Sequence, residues 1–160
     1  MGQQQLILLV LATVIVGTAI VVGIAAFSEN SAKANADAIV QDAVRIANDA
    51  QSWKRKPAPF GGQASSEEAS VVNDPQNYTG ATLGALGYPG EDTYANLNGN
   101  FEVTAASSGG FFLQATNDPN ATGDSTIVSL AVCGLTDGDI ISRITQIAGV
   151  STGLEAAACP

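Results

Sequence analysis

The chain has no histidine and only two cysteines in 160 residues, so the commonest general base and a principal zinc and haem ligand are missing, and no Cys-x-x-Cys pair occurs to replace them. Basic residues are almost as scarce. Lys33, Arg45, Lys54, Arg55, Lys56 and Arg143 stand against fifteen acidic side chains and leave a formal charge of -9, too little positive charge to neutralise a phosphate backbone, so nucleic acid is not an expected partner. Proline is absent before Pro57, which permits a long uninterrupted helix. Aromatic residues make up 6% of the chain, with Phe27 and Trp53 alone in the first 56 residues, too far apart for a continuous stack of rings. The adjacent carboxylates Glu67 and Glu68, and Glu91 and Asp92, lie in loop-like sequence and read as solvated charges rather than an acid–base pair. No enzyme activity and no cofactor is expected, and the length allows one compact core plus an appendage.

Charge and hydropathy are unevenly placed. Residues 1–56 carry a net +1 and residues 57–160 a net -10. Leu6 and Phe27 bound a run, LILLVLATVIVGTAIVVGIAAF, of twenty-two uncharged residues with Thr13 and Thr18 as its only polar side chains. As a helix it would reach roughly 33 Å against a hydrocarbon core of roughly 30 Å, enough to span a bilayer. A cleaved secretory signal fits less well: residues 1–5 contain no Lys or Arg, and the run exceeds the roughly 7 to 15 residues of a signal's apolar stretch. Met1-Gly2 opens like a myristoylation site, but Leu6 stands where Ser or Thr is needed.

Beyond the run, Ala32, Ala36, Ile39, Ala43, Ile46, Ala50 and Trp53 recur at alternating intervals of four and three, which places them along one stripe of an amphipathic helix. A continuous helix from about Gln3 to about Lys54 follows. Gly17 and Gly23 weaken it by roughly 1 kcal/mol each, less than the cost of stranding several backbone groups by unwinding in apolar surroundings. Lys54, Arg55 and Lys56 are expected to offer cations to the last carbonyls, and Pro57 and Pro59 forbid continuation.

Residues 57–160 read as a small β-rich head, giving an α+β fold with a helical segment at 1–56 and an acidic globular segment at 57–160. Loops rich in Gly, Pro, Asn and Ser fill 57–100, with a short helix expected near 65–72. Strands are predicted at 100–105, 110–116 and 125–132, forming an antiparallel meander. Thr136 and Asp139 resemble a helix start before Ile140, Ile141, Ile144 and Ile147, although these isoleucines also suit a strand. Cys133 and Cys159 either form a disulfide, if this part is exported, or remain two buried thiols. Asp118, Asn120, Thr122 and Asp124 match the first half of a calcium loop, but its twelfth position is Ser129 rather than Glu, so a polar turn is the better reading and no metal site is assigned. Asn77 and Asn120 fit the glycosylation acceptor pattern.

An apolar helix beginning at Leu6, its amphipathic continuation, a helix-and-sheet head and a cysteine pair near the end together resemble a type IV pilin. The resemblance implies insertion in the cytoplasmic membrane, processing by a prepilin peptidase, assembly by pilus machinery into a helical filament of identical subunits, and roles such as adhesion or motility. It also implies that Met1 is the first mature residue, often N-methylated in that family. Gln5 departs from the glutamate usual at that position, so a carboxamide hydrogen bond near a neighbouring N-terminus replaces an ion pair. The expected assembly residues are Met1, Gln5, Leu6, Val14 and Phe27. The alternative is a solitary single-pass membrane protein whose head works as a surface binding module or adhesin.

Overall fold

The computed structural model describes residues 2–63, 74–117, 125–147 and 149–160. One α-helix, α1 (Gly2–Arg55), is followed by a short helix, α2 (Leu83–Leu86), and a six-stranded antiparallel sheet. Its strands are β1 (Thr93–Ala95), β2 (Asn100–Ser107), β3 (Gly110–Thr116), β4 (Ile127–Val132), β5 (Ile140–Ile147) and β6 (Val150–Ser151), each hydrogen-bonded to the next in sequence. The fold is therefore α+β. Helical backbone continues through Gly17 and Gly23, as predicted from the sequence.

Compactness divides the chain into residues 1–34 and residues 35–160. The division falls inside α1 because the amphipathic stripe supplies the core of the second unit. Ala36, Ile39, Ala43, Ile46, Ala50 and Trp53 are all buried, joined by Ala47 and Gln51. With alanine at three of the six stripe positions, the helix backbone can approach its neighbours closely. Ile39, Ile46 and Trp53 belong to one apolar cluster with Phe101 of β2, Phe111 and Leu113 of β3, and Val128, Leu130 and Val132 of β4. The ladder places Phe111 opposite Val132, Leu113 opposite Leu130 and Ala115 opposite Val128, so one side of three strands faces this core.

The other side of β4 is covered as well. Phe112, Ala131 and Ile141 stand side by side on adjacent strands and pack with Cys133, Ala157 and Cys159. The last residues thus lie over the sheet, where the Ala157 amide donates to the Ser129 hydroxyl at 2.9 Å.

The strand predicted at 110–116 has those bounds, and those at 100–105 and 125–132 correspond to β2 and β4. The helix expected after Thr136 is not formed. The Thr136 amide and hydroxyl do donate to Asp139 Oδ2, at 2.9 and 2.6 Å, but they cap a single 3₁₀ turn (Asp137–Asp139). Ile140 to Ile147 then pair along β4, which puts Ile140 and Ile144 into the main core and Ile141 on the outer face. An open ladder edge beside β-branched residues outweighs the capping signal. The helix anticipated near 65–72 lies outside the described residues.

Candidate assembly surface

In the first unit every apolar side chain of the run faces outward. Leu6 is 66% exposed, Val14 57% and Phe27 76%, and the segment is long and apolar enough to cross a membrane by length and composition. Its two polar side chains are already occupied. Thr13 donates its hydroxyl to the Val10 carbonyl at 2.8 Å and Thr18 donates to that of Ile15 at 2.9 Å, so each satisfies itself on its own helix and leaves no free donor outward. The small residues Ala12, Thr13 and Gly17, flanked by Leu9, Val16 and Ile20, leave a shallow apolar hollow of about 460 Å³ on one side. Just past the run, Lys33 bonds Glu29 at 2.7 Å across one turn, and this contact holds the Glu29 carboxyl below its usual range. Gln5 is exposed on the helix, and Met1 lies outside the described residues.

The second unit holds the end of α1 by polar staples. Gln51 Nε2 donates to the carbonyls of Gly134 and Thr136, both at 3.0 Å, and the Tyr78 hydroxyl donates to the Gly134 carbonyl at 2.7 Å. Arg55 donates to the Leu135 carbonyl, and Trp53 Nε1 to that of Gly61 at 3.0 Å. Lys54 is buried. Its ammonium donates to Gln63 Oε1 at 2.7 Å and to the Asn77 carbonyl, and stands 5.4 Å from the centre of the Tyr78 ring. Desolvation lowers the Lys54 pKa, partly countered by the charge of Asp74. Burial pushes the Tyr78 hydroxyl up to about 12. The Lys54 and Arg55 side chains therefore do not cap the helix, as the sequence suggested; they tie the loops before β1 and after β4 onto its last turn.

The disulfide is formed between Cys133 and Cys159, with Cα atoms 5.4 Å apart and a sequence separation of 26. It fastens the final residues over Ala131. Gly110, at φ +133°, makes room: a Cβ there would stand 2.7 Å from Cys159 Sγ and 2.9 Å from the Val132 carbonyl.

The candidate calcium residues Asp118, Asn120, Thr122 and Asp124, and with them the second glycosylation triplet, lie outside the described residues, as do Glu67 and Glu68. Asn77 is buried, and its Oδ1 accepts from the amide and hydroxyl of Thr79, at 3.0 and 2.7 Å, in a turn that closes on Lys54. Glu91 and Asp92 are exposed, and their backbone carbonyls accept from Leu83 and Val103. Among the described residues no three metal-ligating side chains gather. The contribution of Asp42 was not legible in sequence: its Oδ2 accepts from the amides of Asn96 at 2.8 Å and Asn98 at 2.7 Å, fixing the β1–β2 turn to the helix.

Comparison with protein-family models, with curated proteins and with solved structures returns no match. A long apolar N-terminal helix, an antiparallel sheet and a disulfide are nevertheless the features that type IV pilins combine.

Proposed function

We propose that the chain is the structural subunit of an extracellular filament of the type IV pilus kind, held in the cytoplasmic membrane before assembly and polymerised through residues 6–27. The observation that carries this reading is the contrast along one helix. From Ala36 onward α1 buries its apolar stripe in its own head, whereas residues 6–27 bury none of theirs. At roughly 25 cal/mol per Å² such a surface cannot remain in water, so outside a bilayer it must be covered by copies of itself. The two inward-bonded threonines suit a dry interface, and the acidic head suits a solvated exterior that keeps filaments apart.

A solitary anchored binding module needs the same helix for the membrane alone. Shearing cells and pelleting the supernatant without detergent separates the two readings. A filament carries the subunit into the pellet; a single-pass protein stays with the cells until detergent is added, and that outcome would overturn the filament reading.

A further inference from the structure

The C-terminal residues cover the outer face of the sheet at Phe112, Ser129, Ala131 and Ile141, and no contact of theirs, among the described residues, reaches β1, β2 or the Gln114–Thr116 end of β3. The ladder sets Thr93 opposite Glu102, Glu102 opposite Gln114, and Asn100 opposite Thr116. Side chains two apart on a strand share a face, so these five project together, opposite the buried Phe101. Together with Phe101 they line a hollow of about 230 Å³. None of the five side chains hydrogen-bonds any described residue, whereas the neighbouring polar side chains Ser129, Asn96 and Asn117 are all engaged. Direct and diagonal neighbours on such a face stand about 5 to 8 Å apart on a rigid frame.

The chemistry of the set selects its occupant. Two carboxamides, each with two donors and an acceptor, two hydroxyls that do both, and one carboxylate acceptor match a ligand that presents donors and acceptors side by side. Vicinal hydroxyl groups are such a ligand. No cation lines the hollow and the surrounding head is acidic, so an anion is disfavoured; a single carboxylate is too little to capture a metal ion. The volume lies below the range for drug-sized ligands and admits one small ring rather than a peptide segment. We infer that this hollow binds one neutral sugar ring of a glycan, with Asn100 and Gln114 as the bidentate partners and Glu102 accepting from a hydroxyl. The inference does not depend on polymerisation.

Saturation-transfer NMR on the full chain, solubilised in a detergent without a sugar head group, tests it with methyl α-D-mannopyranoside, methyl β-D-galactopyranoside and N-acetyl-D-glucosamine as probes. At least one should receive saturation with a Kd on the order of millimolar, the level of a few neutral hydrogen bonds. The double substitution Asn100→Ala with Gln114→Ala should weaken binding about tenfold or more. Thr116→Val, which keeps the shape of the strand and removes one hydroxyl, should weaken it by less. N-acetylneuraminic acid, an anionic sugar, should bind more weakly than the neutral probes. Transfer to none of the neutral probes, transfer unchanged in the double variant, or stronger transfer to the anionic sugar would overturn the assignment.

Discussion

Replacing Val14 by Asp places one charge near the middle of residues 6–27. In the isolated chain the change is mild, because Val14 is 57% exposed and touches no core. In a filament it is costly on two counts. The apolar side chain forfeits roughly 1.5 to 3 kcal/mol of burial, and a carboxylate in helical apolar surroundings costs roughly 2.5 to 3.5 kcal/mol. No side chain in the run can offset this, since the only hydroxyls, on Thr13 and Thr18, already donate to Val10 and Ile15, and every neighbouring copy has the same sequence. A combined penalty of about 4 to 6 kcal/mol per subunit lowers the association constant roughly 10³- to 10⁴-fold, enough to abolish polymer at ordinary subunit concentrations. The assay compares subunit in sheared, pelleted filaments with subunit in the membrane fraction for wild type, Val14→Asp and Val14→Ala. Wild type and, with reduced yield, the alanine variant should reach the pellet, while the aspartate variant should be missing from it. Aspartate filaments in normal amount, from cells whose wild-type chain also polymerises, would refute the burial of this position.

Other outcomes follow from the second unit. Cys159→Ala should lower the stability of the head by about 3.5 kcal/mol on the chain-constraint model for a 26-residue separation, shifting the melting midpoint of the full chain by about 10 °C. Gly110→Ala should also destabilise, because its Cβ meets Cys159 Sγ and the Val132 carbonyl in a backbone conformation that L side chains rarely adopt; a melting curve identical to wild type would count against that packing. Lys54→Ala leaves Gln63 Oε1 and the Asn77 carbonyl without their cation, at about 1 to 3 kcal/mol each, and should raise hydrogen exchange at residues 61–63 and 77–79 before the sheet is affected. Tyr78 has a folded pKa near 12 against an ordinary value of 10.0, so its contribution is fully present below pH 10 and lost as pH rises from 10 to 12. Tyr88 is held up as well, by burial and by its bond to Asp49, so phenolate absorbance should show two late-titrating tyrosines, and Tyr78→Phe should remove the earlier of the two late steps.

What sequence made legible here depended on repetition. The membrane-length run and the four-three spacing from Ala36 to Trp53 are each repeated over several turns, and both the continuous helix and its buried stripe appear as those periods require. Strand β3 keeps the bounds expected from its strand-typical composition between turn-rich segments and alternates buried and half-buried residues from Phe111 onward. Isolated signals were less informative. Thr136 and Asp139 form their reciprocal bonds, yet one capping pair cannot hold a helix when Ile140 to Ile147 find a free edge on β4. The cations at 54 and 55 were assigned to the nearest backbone, the end of their own helix, whereas their partners at Gln63, Asn77 and Leu135 are distant in sequence or unremarkable in composition. The polar hollow at Asn100, Glu102 and Gln114 was illegible for a similar reason: three strands bring it together, and no single segment carries its pattern.

The central claim is that residues 6–27 are covered by other copies of this chain. Imaging filaments sheared from cells, at a resolution that distinguishes side chains, tests it most directly. The account predicts a core of parallel helices in which Leu6, Val14 and Phe27 are packed away from water, with the disulfide-bearing heads on the outside. Filaments held together by head-to-head contacts with residues 6–27 exposed, or the absence of this chain from every filament on the cell, would contradict it.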